Sequence, residues 1–419
     1  MSMKLLHAAD LHLDSPLLRL SQLEGAQDAE IALATRHALD GLVDLALREE
    51  VSAVLLAGDI YDGDWRDHQT GMFFVQRMQR LREANIEVFV VHGNHDVASQ
   101  ITRSLALPDN VHTRPTDAPA TKRREDLGLS VHGQGFAERK VVDNLAAAYP
   151  KADSGMLNVG LLHTALEGGR EPHGRYAPCT VDDLIDKGYQ YWALGHVHNY
   201  EAVSRDPWVV FPGNLQGRNP REIGPKGCVV VDTDDGVITS VRRHHLDVVR
   251  WEHVRPDVSG CRDVSEIRDR VNDALREQLQ AADGRPLAVR VELAADTATQ
   301  PLLWRDPARL EAEVRLVAFE LGHIWVEKVR AAPAVEETIR ATLDTATVSN
   351  LRAAAEELVS DPVRLRDVLA DSGLTGPVWN ACKDGGLEVD DHSIAQAIVR
   401  DAVSHLAAHL PAGAGEVQR

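Results

Sequence analysis

Five short blocks in the first half of the chain each close an apolar run with residues that bind metals. They are Asp10-Leu11-His12, Gly58-Asp59-Ile60-Tyr61-Asp62, Gly93-Asn94-His95-Asp96, His163, and Gly195-His196-Val197-His198. The runs before them are MKLLHAA, VSAVLLA, IEVFVV, LNVGLL and YQYWAL. Their length and composition suit buried strands. In an open α/β sheet the loops at the carboxyl ends of the strands meet at one site. Five such ends would gather one cluster of carboxylate, amide and imidazole groups. A cluster of oxygen and nitrogen donors without cysteine suits manganese, iron or zinc in a hydrolytic centre.

A two-metal hydrolase needs divalent ions ~3.5–4 Å apart, with a shared ligand and an activated water between them. Asp59 is the expected bridge, since a carboxylate offers two oxygens and a full charge. Asp10, His12 and His198 complete one set of ligands, and Asn94, His163 and His196 the other. The D-x-H and H-x-H spacings put alternate side chains on one side of a strand end. Gly58, Gly93 and Gly195 let the backbone turn sharply out of the sheet. His95 stands beside a ligand and is expected as the general acid for the leaving oxygen. Asp62 is its expected orienting partner.

These strand ends need a frame. A chain of 419 residues suggests two or three domains. The catalytic domain is expected over residues 1–250, a small α+β domain over 251–334, and a helical region over 335–419. Helical spacing covers residues 27–50 and 67–85. Strands at 52–57 and 86–91 flank the second helix and predict a β-α-β unit with a parallel pair. Beyond Gly195 the pattern turns to short antiparallel strands, with turns at Asp206-Pro207 and Asp235-Gly236. A second sheet packed on the first gives a sandwich with outer helices. In 251–330, SEIRDRVNDALREQL and PARLEAEVRLVAFEL read as helices, and PLAVRVELAA and HIWVEKVRAA as strands.

Composition narrows the class. With 44% hydrophobic but only 5% aromatic residues, the core must be built mainly from Ala, Val and Leu. A formal net charge of −19 argues against a broadly basic nucleic-acid coat and leaves room for a local basic patch. Cys179, Cys228, Cys261 and Cys382 form no C-x-x-C pair, which suits free thiols in a reducing cytoplasm. The opening MSMKLLHAADLHLD reaches Asp10 too soon for a signal peptide, and no apolar run nears the ~20 residues needed to span a bilayer. The expectation is a soluble cytoplasmic protein without membrane contact.

Other polar residues have plainer readings. His7 is expected as a packed core residue, His92 and His132 as structural, and His244 and His245 as surface residues. The loop EGGREPHGRYAPCT follows a ligand and carries Arg170, Arg175 and Tyr176. These are candidate contacts to substrate phosphates and a stacked base, with a plain solvent loop as the alternative. GRNPREIGPKG, with Arg218, Arg221 and Lys226, is a second candidate patch or an exposed turn.

In that order, DLH, GDIYD, GNHD, an isolated His and GHVH resemble the calcineurin-like metallophosphoesterase superfamily. The longer stretches ADLHLDSPL, VHGNHD and YWALGHVH, together with GDIYD, resemble its SbcD/YhaO group of DNA-repair exonuclease subunits. The resemblance covers roughly residues 1–240. It implies a two-sheet α/β sandwich flanked by helices. The family's ligands fall on Asp10, His12, Asp59, Asn94, His163, His196 and His198, and its catalytic histidine on His95. It further implies two divalent ions, Mn2+ foremost with Fe or Zn possible, and DNA as substrate. It also implies a capping domain, helices that bind an SMC-like coiled-coil ATPase, and a homodimer. The alternative is a nucleotide phosphodiesterase or phosphatase with a small substrate.

Overall fold

The computed structural model describes residues 2–17, 33–62, 68–98, 106–167, 176–296, 298–332, 346–361, 364 and 368. The chain divides into two compact units, Met1–Glu252 with Gly284–Ala288, and His253–Asp283 with Val289–Arg419. Among the described residues no helix is long and apolar enough to cross a membrane.

The first unit holds two six-stranded sheets. Their strands are β1 (Ser2–Ala8), β2 (Ala53–Ala57), β3 (Glu87–Val91), β4 (Val111–Thr113), β5 (Ala120–Arg124), β6 (Leu129–Gly133), β7 (Leu157–His163), β8 (Tyr191–Gly195), β9 (Glu201–Arg205), β10 (Trp208–Phe211), β11 (Gly227–Asp234) and β12 (Val237–His245). One sheet has the order β12-β11-β1-β2-β3-β4, the other β5-β6-β7-β8-β10-β9. β1 to β4 run parallel, as do β6, β7, β8 and β10, so their carboxyl ends lie at one edge of each sheet. The antiparallel pairs β9–β10 and β11–β12 turn at the two sites expected from sequence.

Strand periodicity builds the layers. Leu5 and Leu55 face Val159, Leu161 and Tyr191 of the other sheet. The alternate residues Leu6, Ala8, Val54 and Leu56 pack under helices α1 (Ala34–Arg48) and α2 (His68–Glu83). On the far side of the second sheet, Leu162, Trp192 and Leu194 pack with Leu184 of the short helix α3 (Val181–Ile185). The result is a two-sheet α/β sandwich with outer helices. The expected helix over 27–50 begins at Ala34, and residues 18–32 lie outside the described residues. β4, β5 and β6 had no counterpart in the sequence reading.

A three-stranded sheet has the order β13 (Arg250–Val254), β14 (Leu287–Leu293), β15 (Ile324–Ala331), with β15 and most of β14 in the second unit. The helices of that unit are α4 (Val264–Ala281), α5 (Gln300–Arg305), α6 (Pro307–Leu321) and α7 (Ala346–Ser360). Asp263 caps α4 by accepting from Ser265 and Glu266 N–H, and Asp306 caps α6 through Arg309 N–H.

Candidate metal centre

The ligand loops are locked together by backbone hydrogen bonds. Asp10 and His12 N–H donate to the Gly58 and Asp59 carbonyls at 3.0 Å, and Leu13 N–H to the Ile60 carbonyl at 2.9 Å. The path after β1 therefore follows the path after β2. To do so Asp10, His12 and Asp59 adopt φ of 51°, 42° and 52°, and His196 adopts 105°. A left-handed side-chain-bearing residue costs ~1–2 kcal/mol, and such residues gather at functional sites. Two glycines make room. A Cβ at Gly93 would collide with the Asp59 carboxylate, and one at Gly195 with the Ala57 carbonyl.

The seven expected ligands are all buried and meet at this edge. His12 Nε2 faces His198 Nε2 at 3.3 Å, and Asp10 Oδ1 lies 3.8 Å from the same His198 nitrogen. His163 Nε2 is 3.1 Å from Asn94 Oδ1 and 3.4 Å from Asp59 Oδ2. His163 Nδ1–H donates to the Ala57 carbonyl at 2.9 Å, which leaves Nε2 as the ligand atom. Donor atoms of Asp10, His12 and His198 lie within 4.8 Å of one another, as do those of Asp10, Asp59 and His163. Asp10 is thus common to both groups, while Asp59, the expected bridge, sits in the second. His196 donates its backbone N–H to Asp10 at 3.0 Å and sets its ring edge-on to His163 and Tyr176.

The donor set fits divalent cations. Two ring nitrogens facing each other at 3.3 Å need a proton or a cation between them. Burial, aided by the Arg218 charge, holds His12 well below the usual histidine range. Its ring is therefore neutral, the form that binds metal. His12 Nδ1 has no hydrogen-bond partner. The donors are nitrogen and oxygen without sulfur, which suits Mn, Fe or Zn.

His95 stands at the rim. Its Nδ1 is 3.0 Å from Asp62 Oδ1, and its backbone N–H donates to Asp59 Oδ1 at 2.9 Å. Burial works to raise Asp62, but His95, Arg218 and the Ser15 hydroxyl outweigh it and hold the carboxyl at about 2. Burial works to lower His95, yet the Asp62 and Asp59 carboxylates lift it above its ordinary value. The pair favours a charged imidazole, ready to donate.

Several residues of the site escaped the sequence reading. Asp96 accepts Ile60 N–H at 2.8 Å, Tyr61 N–H at 3.0 Å and Gly93 N–H at 2.9 Å. It pins the Asp59 loop to the Asn94 loop. Burial and the Asp59 charge push it up to about 7 against those donors. Asp14 accepts from Arg36 and Thr70 and so ties the His12 loop to α1 and α2. Arg218 and Lys226 do not form a surface patch. Arg218 reaches Asp62, and the buried Lys226 Nζ donates to the His198 carbonyl at 2.8 Å. Glu222, flagged by no sequence signal, sits 3.0 Å from His198 Nδ1. Tyr176 lies beside His196, whereas Arg170 and Arg175 lie outside the described residues. His7 is buried between Tyr191 Oη at 3.0 Å and the Leu194 carbonyl at 3.2 Å.

A family model of the calcineurin-like phosphoesterase superfamily domain matches residues 3–236. The chain belongs to the calcineurin-like phosphoesterase superfamily. A model of the middle domain of metallophosphoesterase YhaO matches residues 251–333 of this metallophosphoesterase. It is 35% identical over 292 residues to the uncharacterized metallophosphoesterase YhaO of Bacillus subtilis, covering 69% of this chain and 71% of that protein. Among solved structures it is similar to a dimetal phosphatase from Danio rerio, at 12% identity and a TM-score of 0.32, over 55% of this chain and 92% of that one. The metallophosphoesterase is of YhaO type, a hydrolase of phosphoesters.

Proposed function

We propose that this metallophosphoesterase is a two-metal DNA phosphodiesterase, an exonuclease or endonuclease of DNA repair in the cytoplasm. In this reading it is the nuclease subunit of a complex with an SMC-like coiled-coil ATPase. The observation that carries the reading is the His95–Asp62 pair at the rim of the ligand cluster. The leaving group of a DNA diester is an alkoxide, which departs slowly unless it is protonated. A positioned proton donor contributes about 10²–10⁴-fold to such a step. Asp62 pairs its charge with the His95 imidazole at 3.0 Å on the Nδ1 side, and Nε2 delivers the proton to the leaving oxygen. Asp59 fixes the His95 backbone by accepting its N–H. Two divalent ions, when held by Asp10, His12, Asp59, Asn94, His163, His196 and His198, supply Lewis acidity and an activated water. Mn2+ is the proposed ion, from the nitrogen and oxygen donors and the SbcD/YhaO resemblance. Arg170, Arg175 and Tyr176 are the proposed contacts to the DNA strand. The helical region 335–419 is the proposed seat of the ATPase, and the working form a homodimer. Cytoplasmic residence is supported by the free thiols Cys179, Cys228 and Cys261.

The test is degradation of end-labelled duplex DNA by the full chain with Mn2+, alone and with the ATPase. Bis(p-nitrophenyl) phosphate is run in parallel, and His95→Ala is the control. DNA cleavage that disappears in the variant is the expected result. Turnover of the small diester with no DNA cleavage in either setting would leave a small-substrate phosphodiesterase instead.

A further inference from the structure

The turn between β10 and β11 carries a charged pair that neither the ligand set nor the proton donor accounts for. Glu222 is 8% exposed. Its Oε1 lies 3.0 Å from His198 Nδ1 and accepts from Arg218 Nη2, also at 3.0 Å. Its Oε2 accepts from Asn214 Nδ2 and from the Arg218 backbone N–H, both at 2.8 Å. At the other end of the same guanidinium, Nη1 lies 3.9 Å from Asp62 Oδ2. One ion pair therefore touches a ligand histidine on one side and the carboxylate that orients His95 on the other.

We propose that Arg218 and Glu222 are a positioning pair for the hydrolytic centre. Glu222 fixes the tautomer and ring angle of His198, and Arg218 holds Asp62 toward His95. An imidazole that donates Nδ1–H to a carboxylate keeps its lone pair on Nε2. That atom is the one facing His12 Nε2 and Asp10 Oδ1. Carboxylate partners of ligand histidines raise ligand basicity, and their removal lowers metal affinity or activity by about 10–100-fold. A buried carboxylate is unfavourable without a counter-charge, which the guanidinium fork supplies from two directions. A lysine would offer a point charge and could not span Glu222 and Asp62 together. The backbone is shaped for the pair. A Cβ at Gly217 would come within 2.7 Å of the Glu222 carbonyl, and Trp251 Nε1 donates to the Gly217 carbonyl at 3.1 Å.

The proposal leans on the phosphodiesterase reading only for its kinetic arm. The full-length chain is prepared metal-free as wild type, Glu222→Gln, Arg218→Lys, and the double variant Arg218→Met with Glu222→Gln. Mn2+ binding is measured by calorimetry, and steady-state kinetics on bis(p-nitrophenyl) phosphate. Glu222→Gln is expected to weaken Mn2+ binding about 10–100-fold. Arg218→Lys is expected to lower kcat about tenfold or more while KM stays near wild type. If a single variant does not fold, the double variant removes both charges and is expected to lose the same Mn2+ affinity. Unchanged Mn2+ affinity in a folded Glu222 variant would overturn the role given to Glu222. A rise in KM at constant kcat would overturn the role given to Arg218 and make it a substrate contact. Mn2+ binding without diester turnover in the wild type would count against the phosphodiesterase reading, and calorimetry on the Glu222→Gln variant would still decide the role given to Glu222.

Discussion

Asp59 accepts the His95 backbone N–H at 2.9 Å through Oδ1, while its Oδ2 faces His163 Nε2 at 3.4 Å. One carboxylate thus places both a ligand and the proposed proton donor. Asp59→Asn keeps the shape but loses the charge and one acceptor. We expect Mn2+ content and diester turnover to fall together, each about tenfold or more. Metal analysis beside kinetics checks this, and full occupancy with normal turnover would contradict it.

His95→Ala separates chemistry from binding. No ligand is removed, so Mn2+ content should match wild type, while turnover falls about 10²–10⁴-fold. Asp62→Asn should fall between the two, because the donor stays but loses its orienting charge. Full activity of His95→Ala on DNA would end the proposed mechanism.

Asp96 has a structural duty that shows in stability. Its carboxylate serves three backbone donors from two loops. Asp96→Ala leaves those buried N–H groups unpaired and should cost about 3 kcal/mol or more, lowering Tm by several degrees. Asp96→Asn keeps one acceptor oxygen and should lose less. Thermal unfolding with and without Mn2+ distinguishes the two variants.

His7 gives the fold a defined acid limit. Burial lowers its pKa from 6.5 to about 3, so it is neutral in the folded protein at pH 5, whereas an unfolded chain protonates it. Between those values the unfolded state binds more protons, so stability rises with pH. The contribution is fully present above 6.5 and is lost as pH falls toward 3. Over the window from pH 6.5 to 4 the loss is on the order of 3 kcal/mol. His7→Gln should flatten that part of the stability curve, measured by urea unfolding at stepped pH. An identical slope in the variant would assign the effect to another group.

The ligand strand ends were legible because strand, turn and ligand follow one another within a few residues. VSAVLLAGD contains an apolar run, a glycine and a carboxylate in the order the chain uses them. The supporting groups were not legible, for they act across long separations. Glu222 meets His198 at a separation of 24 residues, and nothing in REIGPKG marks it as buried. Lys226 read as part of a candidate patch or an exposed turn because the His198 carbonyl that accepts from it, 28 residues away, comes within reach only in the folded chain. The strands VHT and ATKRR carry too little apolar alternation to be seen alone. Their order comes from neighbours, Val111 pairing with Val88 and Lys122 with Val131.

Ala57 lies in β2 of one sheet, yet its carbonyl is shared with His163 and crowded by Gly195 of the other. Neither layer alone presents the ligand cluster, so a half-folded chain has nothing to load. Ion uptake is then linked to the folding of the whole catalytic unit. At a free concentration of 100 Kd, one ion adds about 2.7 kcal/mol to that transition. The centre doubles as a fastener between the two layers, and its grip is set by how much free metal surrounds the protein.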